Sequence, residues 1–248
     1  MDQLFRSDEA FKRMGGLDES TPYLAVFDVD ETLVSVKSMF SFLRFVLISE
    51  HGMPHGVALY GAVRNKLEAL RSRASREDVN REFYRLFRHR GINRLRLLAQ
   101  EWFAEEVASH PDLFIPETCA LLREHRERGA GIVFLSGSAD FILEPIVDHL
   151  GGGAIVANRL AEEKGVTTGE LKGIQTIGSG KREALRQYVE EHGLNFRGSV
   201  AVGDHISDLP FLELAQHPVV VRGDLELEQI AISRGWTMIE PNQPAYVV

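Results

Sequence analysis

A chain of 248 residues, 44% hydrophobic and 26% charged, can bury a large core and has the make-up of an ordinary globular protein. Its net charge of −8 argues against general nucleic-acid binding, and its single cysteine, Cys119, excludes an internal disulfide framework and suits a reducing cytoplasm. The longest apolar stretch, Met39 to Ile48, is broken by Ser41 and Arg44 and is too short to span a bilayer, so a cytoplasmic protein without membrane contact is expected.

Residues 1–20 read as a charged leader without the apolar core of a signal peptide, ended by Gly15-Gly16 and Pro22. The apolar run Tyr23 to Phe27 then predicts a buried strand. Strand-like signals stop for about ninety residues after it, replaced by four predicted helices: Met39–Glu50, Pro54–Ser72, Arg76–Arg90 and Asn93–His110. Ser75 with Asp78 has the spacing of a capping box, and Val79, Phe83, Leu86 and Phe87 keep helical spacing. A self-contained helical insertion is the simplest reading. It is also basic: from Arg64 to Arg96 there are eleven Lys/Arg against four Asp/Glu, so the remainder carries −15.

From Pro116 the pattern alternates. A helix over Pro116–Arg128 precedes a strand at Ile132–Leu135 and a helix at Ala139–Leu150. Weak strands at Ile155–Val156 and Val166–Leu171 flank a Lys164-Gly165 turn, and a helix follows over Ser179–His192. Ser199–Val202 is a strand ending in Gly203-Asp204. Leu209–Ala215, Pro218–Val221, Glu226–Arg234 and Thr237–Ile239 complete a helix-strand-helix-strand run. Such alternation predicts a parallel sheet with right-handed crossovers.

Polar groups fall where the ends of such strands would gather them. The first strand runs into Asp28 and Asp30, and buried strands do not end in two carboxylates unless something offsets their desolvation. Ser136-Gly137, Lys181 at a helix start, and Asp204 with Asp208 occupy three further strand or helix ends. The acids can hold Mg²⁺, which takes oxygen ligands and substrate phosphate into its shell. Amides around Ser136-Gly137 and the Ser136 hydroxyl can bind phosphate oxygens, and Lys181 can neutralise them. One carboxylate can act as nucleophile while a second protonates the leaving oxygen.

In this order the motifs resemble those of the haloacid dehalogenase superfamily, in its subgroup IB with the phosphoserine phosphatases. Asp28-Val29-Asp30-Glu31-Thr32 matches Asp-x-Asp-x-Thr, and Leu135-Ser136-Gly137-Ser138 matches the second motif. Ser179-Gly180-Lys181 matches the third, and Gly203-Asp204-His205-Ile206-Ser207-Asp208 matches Gly-Asp-x-x-x-Asp. The resemblance covers about residues 23–240. It implies a Rossmann-like α/β core at 21–35 and 116–248, with an inserted helical cap of the C1 type at 36–115.

It also implies roles. Asp28 would attack phosphorus and bind Mg²⁺. Asp30 would be general acid and then base, giving its main-chain carbonyl to the metal. Asp204 would be a further metal ligand, with Asp208 supporting it or orienting Lys181. Ser136, Gly137 and Lys181 would hold the phosphate. The expected substrate is a small phosphate monoester, expected to be anionic, with an anionic metabolite phosphate, a nucleotide and a pathway-specific phosphate such as histidinol phosphate as the candidates, handled by a monomer or homodimer. A phosphotransferase to an alcohol and a catalytically silent scaffold are the alternatives.

One position departs from the family. Phosphoserine phosphatases carry a glutamate beyond the first motif that reads the substrate's ammonium, and here Lys37 stands there. A lysine repels an ammonium and favours an extra carboxylate or phosphate, which argues against phosphoserine. Glu31, where relatives often have Gly or Ser, is expected to be tolerated. His205 is a further candidate for substrate contact. Phe40, Phe42 and Phe45 read as cap core rather than substrate wall. Arg81, Arg85 and Arg88 read as a solvated helix face rather than a steering patch.

Overall fold

A computed structural model describes residues 23–242. The expected leader at 1–20 lies outside the described residues. Strand β1, Leu24–Phe27, is buried at every position because it is the middle of the sheet. The seven-stranded order is β4-β3-β2-β1-β5-β6-β7. Its members are β2 Gly131–Ala139, β3 Ala154–Glu163, β4 Val166–Lys172, β5 Val200–Gly203, β6 His217–Val221 and β7 Thr237–Ile239. β1 pairs in parallel with β2 (Val26 beside Val133) and with β5 (Phe27 beside Val202), so three strand ends bearing Asp28, Ser136 and Asp204 lie side by side. Only the β3–β4 hairpin is antiparallel among the described strands, as the Lys164-Gly165 turn requires.

Between β1 and β2 run α1 Ser38–His51, α2 Met53–Arg71, α3 Arg76–Tyr84 and α4 Ile92–Ser109, then α5 Pro116–Glu127. The remaining helices are α6 Asp140–His149, α7 Ser179–Glu191, the single-turn α8 Leu209–Leu212 and α9 Leu225–Arg234. Ser75 caps α3 by accepting from the Asp78 amide at 3.1 Å. The reciprocal bond takes another form, since the Ser75 hydroxyl itself donates to Asp78 Oδ2 at 2.8 Å.

Three expectations change. The helix expected over Arg76–Arg90 stops at Tyr84 and tightens to a 3₁₀ turn at Arg85–Phe87. The carbonyls of Phe87 and Arg90, which a continuing helix would bond internally, instead accept from the Thr167 hydroxyl of β4. β3 is far longer than Ile155–Val156. Its outer half, Arg159 to Glu163, runs along the hairpin with only Leu160 buried, so no apolar run announced it.

The insertion is also not self-contained. Its aromatic centre, Phe42, Phe83, Phe87 and Trp102, continues into Phe141 of α6, with Phe42 and Phe141 5.7 Å apart edge to face. The hairpin closes the other side. His89 and Ile92 amides donate to Thr167 and Gly165 carbonyls at 2.8 and 2.9 Å, and the Thr167 amide donates to Arg90 at 2.8 Å. At Gly169 (φ +81) an added Cβ would stand 2.9 Å from Arg88 Cβ, so the close approach needs glycine.

Candidate active site

The backbone after β1 is wound tightly enough to present two carboxylates from one turn. The Asp28 amide still donates to Val202 at 2.9 Å, extending the ladder. The amides of Thr32, Leu33 and Val34 then converge on the Val29 carbonyl at 3.3, 2.9 and 3.1 Å. That winding puts Glu31 at φ 61, a left-handed conformation in which glycine is at ease and glutamate is strained by about 1 kcal/mol. Its carboxylate meets Lys37 Nζ at 3.1 Å, an exposed pair.

Lys181 is the buried cation of the site. Gly178 (φ +54) and Gly180 shape the start of α7, and a Cβ at Gly180 would lie 1.9 Å from the Gln175 carbonyl. From there Lys181 Nζ donates to Asp28 Oδ1 at 2.8 Å and to Asp208 Oδ1 at 2.6 Å, and rests 5.4 Å from the Phe211 ring centre. Burial opposes its charge, but Asp208 and Asp28 outweigh burial and hold the ammonium above its ordinary pKa. Asp208 Oδ2 accepts from the amides of Asp204 and His205, both at 3.3 Å. Gly203 lets that carboxylate in, since a Cβ there would meet Asp208 Oδ2 at 2.9 Å.

Thr32 ties the two acidic loops together. Its hydroxyl donates to Asp204 Oδ1 at 2.8 Å and lies 3.5 Å from Asp28 Oδ2. On the β2 side, the Ser136 hydroxyl accepts from the Ser138 amide at 3.1 Å. The Gly137 carbonyl accepts from Asn158 at 2.6 Å and from Tyr84 of the insertion at 3.1 Å. Ser38, opening α1, donates to Ser138 at 2.9 Å. A side chain at Gly137 would crowd Ile177 and the Thr176 carbonyl at 3.1 and 3.3 Å.

Asp28 and Asp208 therefore pair with the Lys181 ammonium, and two more carboxylates, Asp30 and Asp204, line the same cleft. Burial pushes Asp28 up to about 7, with Lys181 pulling it down and Asp208 pushing it further up. Burial likewise raises Asp30 to about 6 against hydrogen bonds from Ser38, and raises Asp204 well above the usual carboxylate range. The cluster lacks positive charge.

Oxygen atoms of Asp28, Asp204 and Asp208 lie within 4.8 Å of one another, an arrangement that could hold a metal ion. Within that group Asp208 is already spent on Lys181 and two amides. Asp28 and Asp204 have oxygen to spare, and Asp30 Oδ1 is buried without a hydrogen-bond partner. An all-oxygen, electron-rich set fits a hard divalent cation.

The catalytic, metal, phosphate-binding and specificity candidates, Asp28, Asp30, Lys37, Ser136, Gly137, Lys181, Asp204, His205 and Asp208, all line one cleft of about 240 Å³ between the strand ends and the insertion. His205 stands at its side with Nδ1 accepting from the Ser207 amide at 3.0 Å and Nε2 3.5 Å from Asp224. Burial first, and then the Arg76 cation, hold its imidazole below its ordinary pKa. The aromatic trio separates: Phe42 is fully buried core, whereas Phe40 lines the cleft. Arg81 and Arg85 pair with Asp78, Glu82 and Glu170 away from it. The cations that do reach the cleft besides Lys37 and Lys181 are Arg71 and Arg76, at the end of α2 and the start of α3. The sequence carried no local signal for them. Nor did it for Tyr84 and Asn158, which hold the Gly137 carbonyl from distant elements.

Among the described residues no helix is long and apolar enough to cross a membrane. A haloacid dehalogenase-like hydrolase family model matches residues 25–213. A Mycobacterium tuberculosis protein named as a phosphatase is 27% identical over 93% of this chain and 79% of its own length. The histidinol-phosphatase of Neisseria meningitidis is 25% identical over 87% of this chain and 97% of its own. Among solved structures, a substrate-bound phosphoserine phosphatase superposes with a TM-score of 0.63 at 20% identity, covering 90% of this chain and 95% of that one. With the family model spanning most of the chain, three motifs on adjacent strand ends and the lysine motif at the start of α7, the protein belongs to the haloacid dehalogenase-like hydrolases and resembles their phosphoserine phosphatase-like branch.

Proposed function

We propose that the protein is a Mg²⁺-dependent phosphatase that hydrolyses a small phosphate monoester through an aspartyl-phosphate on Asp28. The observation that carries this reading is the buried Asp28–Lys181–Asp208 bridge at the floor of the cleft, with Asp30 two residues on and raised to about 6. Asp28, Asp204 and the main-chain carbonyl of Asp30 would hold Mg²⁺. When bound, the ion supplies the positive charge that the carboxylates and the substrate phosphate together lack.

Lys181 and the Ser136-Gly137 turn receive the phosphoryl oxygens. An Asp28 carboxylate oxygen attacks phosphorus, the bond to the ester oxygen breaks, and Asp30 gives that oxygen its proton. Asp30, now ionised, takes a proton from a water that attacks the phosphorus of the aspartyl-phosphate. Phosphate leaves, and both aspartates return to their starting states. A carboxyl held near 6 is suited to both steps close to neutrality, and Asp208 keeps Lys181 in place for each.

The core, 21–35 and 116–248, would carry this chemistry, and a cap at 36–115 would cover the cleft and exclude bulk water. The hairpin bonds at Thr167 tether the α3–α4 end of that cap, so opening would be greatest at the α1–α2 end. Phosphoserine fits poorly. Lys37 stands where an ammonium-reading acid would be needed, and the nearest acid, Glu31, is paired with it.

Phosphate release from a panel of metabolite phosphates, with Mg²⁺ and with EDTA, tests the reading. Turnover should need the metal and fall by about 10⁴-fold or more in Asp28→Asn. Metal-independent turnover, or full activity in that variant, would overturn it.

A further inference from the structure

The two walls of the cleft are chemically unlike. Across from the acids, the insertion presents Met39, Phe40, Leu67, Val79 and Phe83, an apolar surface with no carboxylate among its cleft-lining residues. Its geometry is fixed from behind: Phe40 and Phe83 meet edge to face at 5.3 Å, and the Arg64 guanidinium lies 4.9 Å over the Phe40 ring. A wall of this kind gains nothing from a fully polar ester and gains by covering apolar surface.

Cations rim that wall. Arg76 is exposed and has no carboxylate partner among the described residues, while Arg71 makes only an exposed pair with Glu68 at 3.3 Å. Arg76 and Lys37 line the same cleft as His205. Glu31, the one acid at the rim outside the catalytic group, is neutralised by Lys37 at 3.1 Å. An ammonium on the substrate would find no free counter-charge on this side. A volume of about 240 Å³ has room for one ring and a phosphate.

We infer that the substrate is a phosphate monoester whose alcohol part is a compact apolar body, aromatic or branched, ending in a second anionic group. The phosphate lies on the Ser136–Lys181 side, the body lies against Phe40, Val79 and Phe83, and the distal anion is met by Arg76. This rests on the phosphatase reading above and narrows it. It sets the chain apart from enzymes acting on amine-bearing phosphates, whose substrates present a cation where this cleft presents the unpaired guanidinium of Arg76.

Benzyl phosphate, 4-carboxybenzyl phosphate, 4-(aminomethyl)benzyl phosphate and phosphoserine separate the possibilities, because the three benzyl esters share similar leaving groups. The expected order of kcat/KM is carboxybenzyl, then benzyl, then aminomethylbenzyl, each step about threefold or more, with phosphoserine last. Arg76→Gln should bring the carboxybenzyl-to-benzyl ratio toward one by raising KM for the carboxylated ester. Val79→Asp, which puts an acid into the wall, should move the preference toward the aminomethyl ester. Equal rates for the three benzyl esters, preference for the ammonium, or preference for phosphoserine would overturn the assignment while leaving phosphatase activity standing. If none is hydrolysed, the phosphatase reading is what fails. Calorimetric binding of the matching benzylphosphonates then decides the cleft's preference by itself: tighter binding of the carboxylated analogue upholds it, and equal binding overturns it.

Discussion

The core face and the insertion face of the cleft are built on opposite principles. On the core face each polar group is held by at least one other: Lys181 by two carboxylates, Asp208 by two amides, Asp204 by Thr32. On the insertion face the charges are exposed and weakly paired, and contact is made through side-chain shape. Reacting groups need fixed positions within a fraction of an ångström, whereas discrimination among esters needs only a different surface. The first face should set kcat and the second KM.

The contrast breaks most visibly at Asp30. Asp30→Asn removes the proton donor and should slow an alkyl phosphate by about 10²–10⁴-fold in kcat. In kcat/KM, which reports the first step without the shared hydrolysis of the aspartyl-phosphate, 4-nitrophenyl phosphate should be slowed much less, since that leaving group needs no proton; equal losses in kcat/KM on both esters would remove Asp30 from the acid role. Substitutions at Phe40 or Arg76 should leave this leaving-group dependence intact.

Next in size is Lys181→Met. It strands buried carboxylates without their counter-ion, a class of change that costs about 3–5 kcal/mol. Asp28 is already raised to about 7 with the lysine present, and without it more of the group will be protonated. Because its folded pKa lies above its unfolded one, stability is retained below about pH 4 and lost as pH rises through about 7. Urea denaturation should therefore show Lys181→Met far weaker at pH 8 than at pH 5. A deficit independent of pH would point to lost packing on Phe211 instead.

A smaller effect follows for metal-free protein at pH 7. Asp28, raised to about 7, is partly protonated there, so Mg²⁺ binding should release protons. Calorimetry in buffers of different ionisation enthalpy measures the number, and binding with no proton release would take Asp28 out of the metal site. The smallest expected change is at the tether. Thr167→Val loses the side-chain bonds to Phe87 and Arg90 and should cost about 1–2 kcal/mol, with hydrogen exchange rising first at Arg85–Ile92. Unchanged exchange there would mean that the main-chain bonds alone hold the hairpin.

What could be read from the chain follows the same division. Asp28, Ser136 and Asp204 were visible because each is a polar residue where a local apolar pattern ends, and Lys181 because it stands where a helical pattern begins, signals confined to a window of a few residues. The sheet and its β3–β4 turn were visible for the same reason. Arg71 and Arg76 were not, because what distinguishes them from Arg81 and Arg85 is which way a helix end faces across the cleft. The end of α3 at Tyr84 was hidden too, since Val79, Phe83, Leu86 and Phe87 keep helical spacing and the competing donor, Thr167, is eighty residues away. Glu31 is a mixed case: the substitution was visible, but its left-handed backbone and its pairing with Lys37 belong to the fold.

The central claim is that Asp28 itself carries the phosphoryl group. Rapid acid quench of wild-type protein during turnover, followed by peptide mapping by mass spectrometry, tests it directly. The predicted result is a phosphoryl adduct on the peptide holding Asp28, absent in Asp28→Asn and accumulating in a variant slowed in the second step. Turnover at full rate with no adduct on that peptide, or with the adduct on another residue, would contradict it.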